Sequence, residues 1–138
     1  MRADRERMKR AGLAVCGLAV LVMAGCVFAA AGAGAGGGIY YSGRGVESIV
    51  TTPVDRTYSA AEQAFVQLGI HQTKTSTEQA GASDRREIDG ASADREVTVT
   101  LLTEGSGTKI QVVARKSAVT WDKDFARTIL ARIVALTG

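Results

Sequence analysis

The sequence predicts an α+β domain: a small antiparallel sheet of four to five strands with two helices packed on one face, in β-α-β-β-β-α order. Two stretches repeat apolar residues at helical spacing, Val54-Tyr58-Ala61-Phe65-Leu68 and Phe125-Ile129-Ile133-Leu136. Between them, Glu96–Thr103 and Lys109–Arg115 alternate apolar and polar residues on either side of the turn Glu104-Gly105-Ser106-Gly107, which is the pattern of a β-hairpin. With one Pro and two Cys in 138 residues, neither a proline-rich linker nor a disulfide framework competes with that reading.

The first residues belong to something else. MRADRERMKR carries Arg2, Arg5, Arg7, Lys9 and Arg10 against Asp4 and Glu6, and the apolar run Ala11–Met23 follows. A basic n-region, an apolar h-region of about 7–15 residues and a small-residue cleavage site make a secretory signal. Here the run closes in Met23-Ala24-Gly25-Cys26, an apolar residue, two small residues and a cysteine, which is the arrangement of a lipobox. Cleavage is expected between Gly25 and Cys26, with a diacylglycerol unit on the Cys26 thiol and an acyl chain on the freed amine. Ala24 and Gly25 leave room for a peptidase around the scissile bond. Two or three acyl chains hold a protein on a bilayer at ~0.8 kcal/mol per buried CH₂.

A second reading stays open. Leu13–Ala30 is eighteen residues without a charge, just long enough for a membrane-spanning helix, and a signal anchor would export the same domain. In the lipidated reading Cys16 leaves with the signal and Cys26 is acylated, so no disulfide is expected. Val27 follows Cys26 where an Asp would hold a lipoprotein in the inner membrane, so the expected place is the periplasmic face of the outer membrane.

The organisation expected is a signal over 1–25, a lipidated N-terminus and Gly/Ala tether over 26–45, and one domain over 46–138. The tract contains Gly32-x-Gly34-x-x-Gly37, which matches the dinucleotide fingerprint in letters but lacks the preceding strand and following helix that give it meaning. As a flexible tether the segment has an r.m.s. reach of roughly 25 Å. Its small-xxx-small spacings, Gly32-Gly36 and Gly34-Gly38, could alternatively pack helices in a membrane.

In the domain, Gly45–Thr51 is β-rich and reads as the first strand. Thr52 as N-cap, Pro53 at the first helical position and Asp55 in the first turn open a helix that Gly69 closes. Ile70–Glu78 is Thr-rich and polar on both faces, an exposed strand whose edge could accept a partner strand. Arg85–Ala91 is a short strand around Ile88, then come the hairpin strands, and the last helix starts near Thr120 or Asp122.

Charge gives no argument for a nucleic-acid partner. The formal +3 belongs to the signal: residues 1–25 hold five of the seventeen basic and two of the fourteen acidic side chains, leaving twelve of each. His71 is the only histidine and has no G-x-S-x-G element to serve, so it reads as a surface or strand-edge residue. Asp122 and Asp124 open a helix, where capping and the helix dipole explain them without a metal. Asp84, Glu87, Asp89, Asp94 and Glu96 are interleaved with Arg85, Arg86 and Arg95, mixed signs that suggest a solvated loop rather than a calcium site. Trp121, the only tryptophan, either covers one end of the core or anchors a protein–protein contact.

The lipobox, the Ala/Gly tract, the pair Tyr40-Tyr41, the helix over 53–68 ending in Leu68-Gly69, and a hairpin before a C-terminal amphipathic helix together resemble a family of small proteobacterial lipoproteins catalogued as a domain of unknown function. The resemblance implies a periplasmic location and no known activity. The expectation is therefore a membrane-anchored, non-catalytic envelope module that binds another envelope protein, without a cofactor, metal, nucleic acid or small-molecule substrate. The alternatives are a structural spacer of the envelope and a signal-anchored exported domain.

Overall fold

The computed structural model describes residues 38–138. The chain divides into Met1–Ala33 and Gly34–Gly138, and everything described belongs to the second unit. The expected signal, the Gly25–Cys26 cleavage point, lipidation at Cys26 and most of the tether lie outside the described residues.

Nine elements follow in order: β1 (Tyr40–Tyr41), β2 (Val46–Val50), α1 (Val54–Gln67), β3 (His71–Ala80), β4 (Ser83–Ser92), β5 (Arg95–Glu104), β6 (Gly107–Ser117), β7 (Thr120–Trp121) and α2 (Lys123–Thr137). All strands pair antiparallel in one seven-stranded sheet of order β1-β2-β6-β5-β4-β3, with β7 on β6. The expectation of a small sheet of four to five strands is thus corrected to seven. The two extra strands, β1 and β7, are two residues each, too short for a period-2 pattern, and only their pairing to β2 and β6 defines them. β4, β5 and β6 also run past their expected ends, while β2 is shorter than the expected 45–51; β3 is exposed at every residue and has no apolar face to read.

One face of the sheet carries the core. Val46, Val50, Ile88, Val97, Val99, Leu101, Ile110, Val112 and Ala114 are buried on it, each at an even spacing from its neighbours along the strand. Both helices cover that face and pack on each other. α1 supplies Ala60, Ala61, Ala64 and Phe65, and α2 supplies Ala126, Ile129, Leu130 and Ile133. A fully buried Leu, Ile or Phe contributes about 1.5–3 kcal/mol relative to exposure, so this layer dominates stability. Among the described residues no helix is long and apolar enough to cross a membrane.

The ends of α1 differ in how well they follow the expected signals. At the C-terminus the amide of Ile70 donates to the Phe65 carbonyl (2.8 Å) and that of Gly69 to Val66 (3.3 Å), a Schellman arrangement that the positive φ of Gly69 (67°) permits. At the N-terminus Pro53, not Thr52, is the cap, and no side chain caps it. The Thr52 hydroxyl instead donates to the Thr137 carbonyl at the end of α2 (3.2 Å). Close by, the buried Thr57 hydroxyl donates to the Pro53 carbonyl (3.0 Å) and that of Thr108 to the Thr52 carbonyl (2.8 Å). These bonds tie the start of α1 to the start of β6.

A candidate interaction surface on the open face

The helix-free face of the sheet is built from the alternate residues: Glu47 and Ile49 on β2, Lys109, Gln111, Val113 and Arg115 on β6, and Glu96, Thr98, Thr100 and Leu102 on β5. Polar pairs lace it. Gln111 donates to Glu47 (3.1 Å), the Thr98 hydroxyl donates to Asp89 (2.7 Å), Lys109 lies 3.6 Å from Glu47, and Arg115 pairs with Glu96. Each such exposed pair is worth about 0–1 kcal/mol, so this lattice orders side chains more than it stabilises the fold.

Trp121 belongs to this face. β7 follows β6 after Ala118-Val119, and its register sets Trp121 opposite Arg115. The ring is half-buried and stands apart from the hydrophobic core between sheet and helices. Arg44 comes from the loop between β1 and β2, with its guanidinium 5.7 Å from the centre of the Trp121 ring, within cation–π range. Gly45 makes that approach possible: a Cβ there would sit 2.1 Å from the Val112 carbonyl oxygen. The amide of Ser42 donates to the Gly45 carbonyl (2.9 Å), and the Gly45 amide donates to the Ser42 hydroxyl (3.1 Å). Together Arg44, Glu96, Thr98, Val113, Arg115 and Trp121 line an open groove of about 460 Å³.

Behind Trp121, Asp122 caps α2 by accepting from the Phe125 amide (2.9 Å) and receives a hydrogen bond from Arg95 Nε (2.6 Å). The Phe125 amide first, and then Arg95, hold its carboxyl below the usual aspartate range. Arg95 also lies 5.1 Å from the Phe125 ring centre. Asp122 thus acts as a helix cap, in keeping with the capping reading, while Asp124 lies in the first turn of α2.

The mixed-charge stretch is not a loop. Asp84, Glu87 and Asp89 lie on β4 and Glu96 on β5, with only Asp94 in the turn between them. The turn was hidden because its left-handed residue is Ala93 (φ 53°), where Gly or Asn is the usual signal. Arg86 sits on the helix side and pairs with Asp84 (3.0 Å) and Asp55, 5.5 Å from the Tyr58 ring centre. Hydrogen bonding to Asp84, more than any other cause, raises its pKa above the ordinary arginine value. This cluster clamps β4 to α1.

His71 is exposed at the start of β3. It shares a cross-strand row with Trp121 through Arg115, Glu96 and Ala91, four strand spacings or roughly 19 Å away. The two are not brought together. Among the described residues no three His, Cys, Asp or Glu side chains are grouped to hold a metal ion. The arrangement offers an aromatic plate, a guanidinium and a carboxylate–guanidinium pair, which is the chemistry of contact. Arg44 was not singled out in the sequence, since nothing in Gly43-Arg44-Gly45 announces a stacking partner 77 residues away.

No curated protein and no solved structure matches this chain. A family model does, over residues 10–135, and by that match the chain belongs to the family described as protein of unknown function (DUF3568).

Proposed function

We propose that this protein is a membrane-anchored bacterial lipoprotein whose domain is a non-catalytic binding module for another envelope protein. One observation carries the binding half: the only tryptophan stands outside the core, on the open face, with Arg44 beside its ring. Trp and Arg are enriched among residues that dominate interface energies. The anchoring half rests on Met23-Ala24-Gly25-Cys26 closing an apolar run after a basic segment. The family match begins at residue 10 and so takes in that run along with the domain.

The two halves have separate tests. A clickable palmitate analogue should label wild type and not Cys26→Ser, whose precursor should keep its signal; equal labelling of both refutes lipidation. An uncleaved, unlabelled, membrane-bound wild type means a signal anchor instead. With Val27 after the lipidated cysteine, wild type should fractionate with the outer membrane and Val27→Asp should shift toward the inner membrane. For binding, Trp121→Ala should abolish co-purification of an envelope partner while the domain stays folded. Partner recovery at the wild-type level refutes the contact reading, and absence of any partner from wild type favours the spacer role.

A further inference from the structure

The long edge of the sheet carries a pattern that is complementary to itself. β3 pairs with β4 on one side and is the last strand of the sheet on the other, with all ten residues exposed. An unpaired edge presents a row of amide and carbonyl groups to any extended partner, and proteins commonly blunt it with a short strand, proline, a bulge or inward charge. The opposite edge is blunted in this way, since β1 is only Tyr40–Tyr41. On β3 the one irregularity falls between Gln72 and Lys74, which leaves Lys74–Ala80 in unbroken register and without proline.

We propose that β3 pairs antiparallel with β3 of a second copy of this chain, about a two-fold axis at Ser76, joining two seven-stranded sheets into one. Charge selects that register. Lys74, Ser76 and Glu78 share the open face of the strand. An axis at Ser76 sets Lys74 opposite Glu78 of the second copy, and Glu78 opposite its Lys74. Moving the axis to Thr75 or Thr77 leaves both charges without a counterion. Moving it to Lys74 or Glu78 sets like charges against each other, which is destabilising in directly opposed pairs.

The neighbouring strand extends the match. Within one copy Asp89 lies opposite Lys74, and Arg85 opposite Glu78. The row across the junction then reads Asp89, Lys74, and next Glu78 and Arg85 of the second copy, alternating in sign throughout. Among the described residues neither Lys74 nor Glu78 makes an ion pair of its own. On the other face Thr75 meets Thr77 of the second copy, a favourable cross-strand pair. The pairing uses no residue of the Trp121 surface, so its failure leaves the proposed function untouched.

Sedimentation equilibrium of the full chain, extracted in a non-ionic detergent, tests the pairing. Wild type should sediment as a dimer. Lys74→Glu and Glu78→Lys each reverse both cross-junction contacts and should each weaken self-association about tenfold or more. An equimolar mixture of the two variants again opposes unlike charges and should dimerise about as tightly as wild type, which also shows that both variants are folded. A wild type that stays monomeric at every concentration overturns the proposal. So does a dimer indifferent to either substitution, or a mixture no tighter than its components.

Discussion

The two faces of the sheet are made from the same strands and do different physical work. Leu101 and Leu102 are neighbours on β5, yet Leu101 is fully buried under the helices and Leu102 is half-exposed on the open face. The helix-covered face is apolar across its centre, with Ser48, Thr108 and the Arg86–Asp84 pair as polar positions around it, and is closed by two amphipathic helices. The open face alternates charge and hydroxyl with single apolar residues and ends at Trp121. Stability should therefore be concentrated on one side, and tolerance with recognition on the other. That asymmetry is sharp enough to be broken by substitution.

The largest effect should come from the covered side. Leu101→Ala removes a fully buried side chain and should cost about 2–5 kcal/mol in denaturant unfolding, whereas Leu102→Ala should cost about 1 kcal/mol or less. Equal costs at the two positions would remove the distinction between the faces.

Next comes the junction between them. Asp122→Ala loses the cap of α2 and the Arg95 bond together and should cost about 1–2 kcal/mol. Because its folded pKa is depressed, the contribution of Asp122 is present at neutral pH, begins to fall below the ordinary aspartate value of about 3.9, and is gone once the pH passes below the folded value. Acid titration of stability should show a shallower loss over that window in Asp122→Asn than in wild type. Identical acid profiles would mean that the Phe125 and Arg95 contacts do not favour the ionised form.

How much of this was readable before the structure follows from where the signals are local. Both helices and the β5–β6 hairpin stood out because Val54 to Leu68, Phe125 to Leu136 and the alternating Val97, Val99 and Leu101 each express one period over many residues. β1 and β7 had no such signal, and Thr120-Trp121 was absorbed into the start of the last helix because Asp122 is a strong N-cap only two residues on. Ala93 hid a turn by lacking a glycine. Trp121 could be named as a candidate from its rarity, but its face was not legible, since that depends on a register with Arg115 that two residues cannot encode.

Smaller effects sharpen the comparison. On the open face, Glu96→Gln breaks the pair with Arg115 at an exposed position and should change stability by about 0.5 kcal/mol or less. A loss several times larger would make the open-face lattice a structural element. On the covered face, the Ser48 hydroxyl is buried without a hydrogen-bond partner among the described residues. Ser48→Ala should leave stability unchanged or raise it, since it removes a buried polar group that nothing satisfies. A clear loss would reveal a partner for that hydroxyl.

The division of labour itself is tested most directly by site-specific photo-crosslinking in living cells. A benzophenone amino acid replaces Val113, in the groove beside Trp121 on the open face, in one strain and Val66, an 81 % exposed position on α1, in another. If the open face is the contact surface, illumination should give a discrete adduct with one envelope protein from position 113 and none from position 66. The same adduct from both positions, or an adduct from position 66 alone, would contradict the assignment of recognition to the open face.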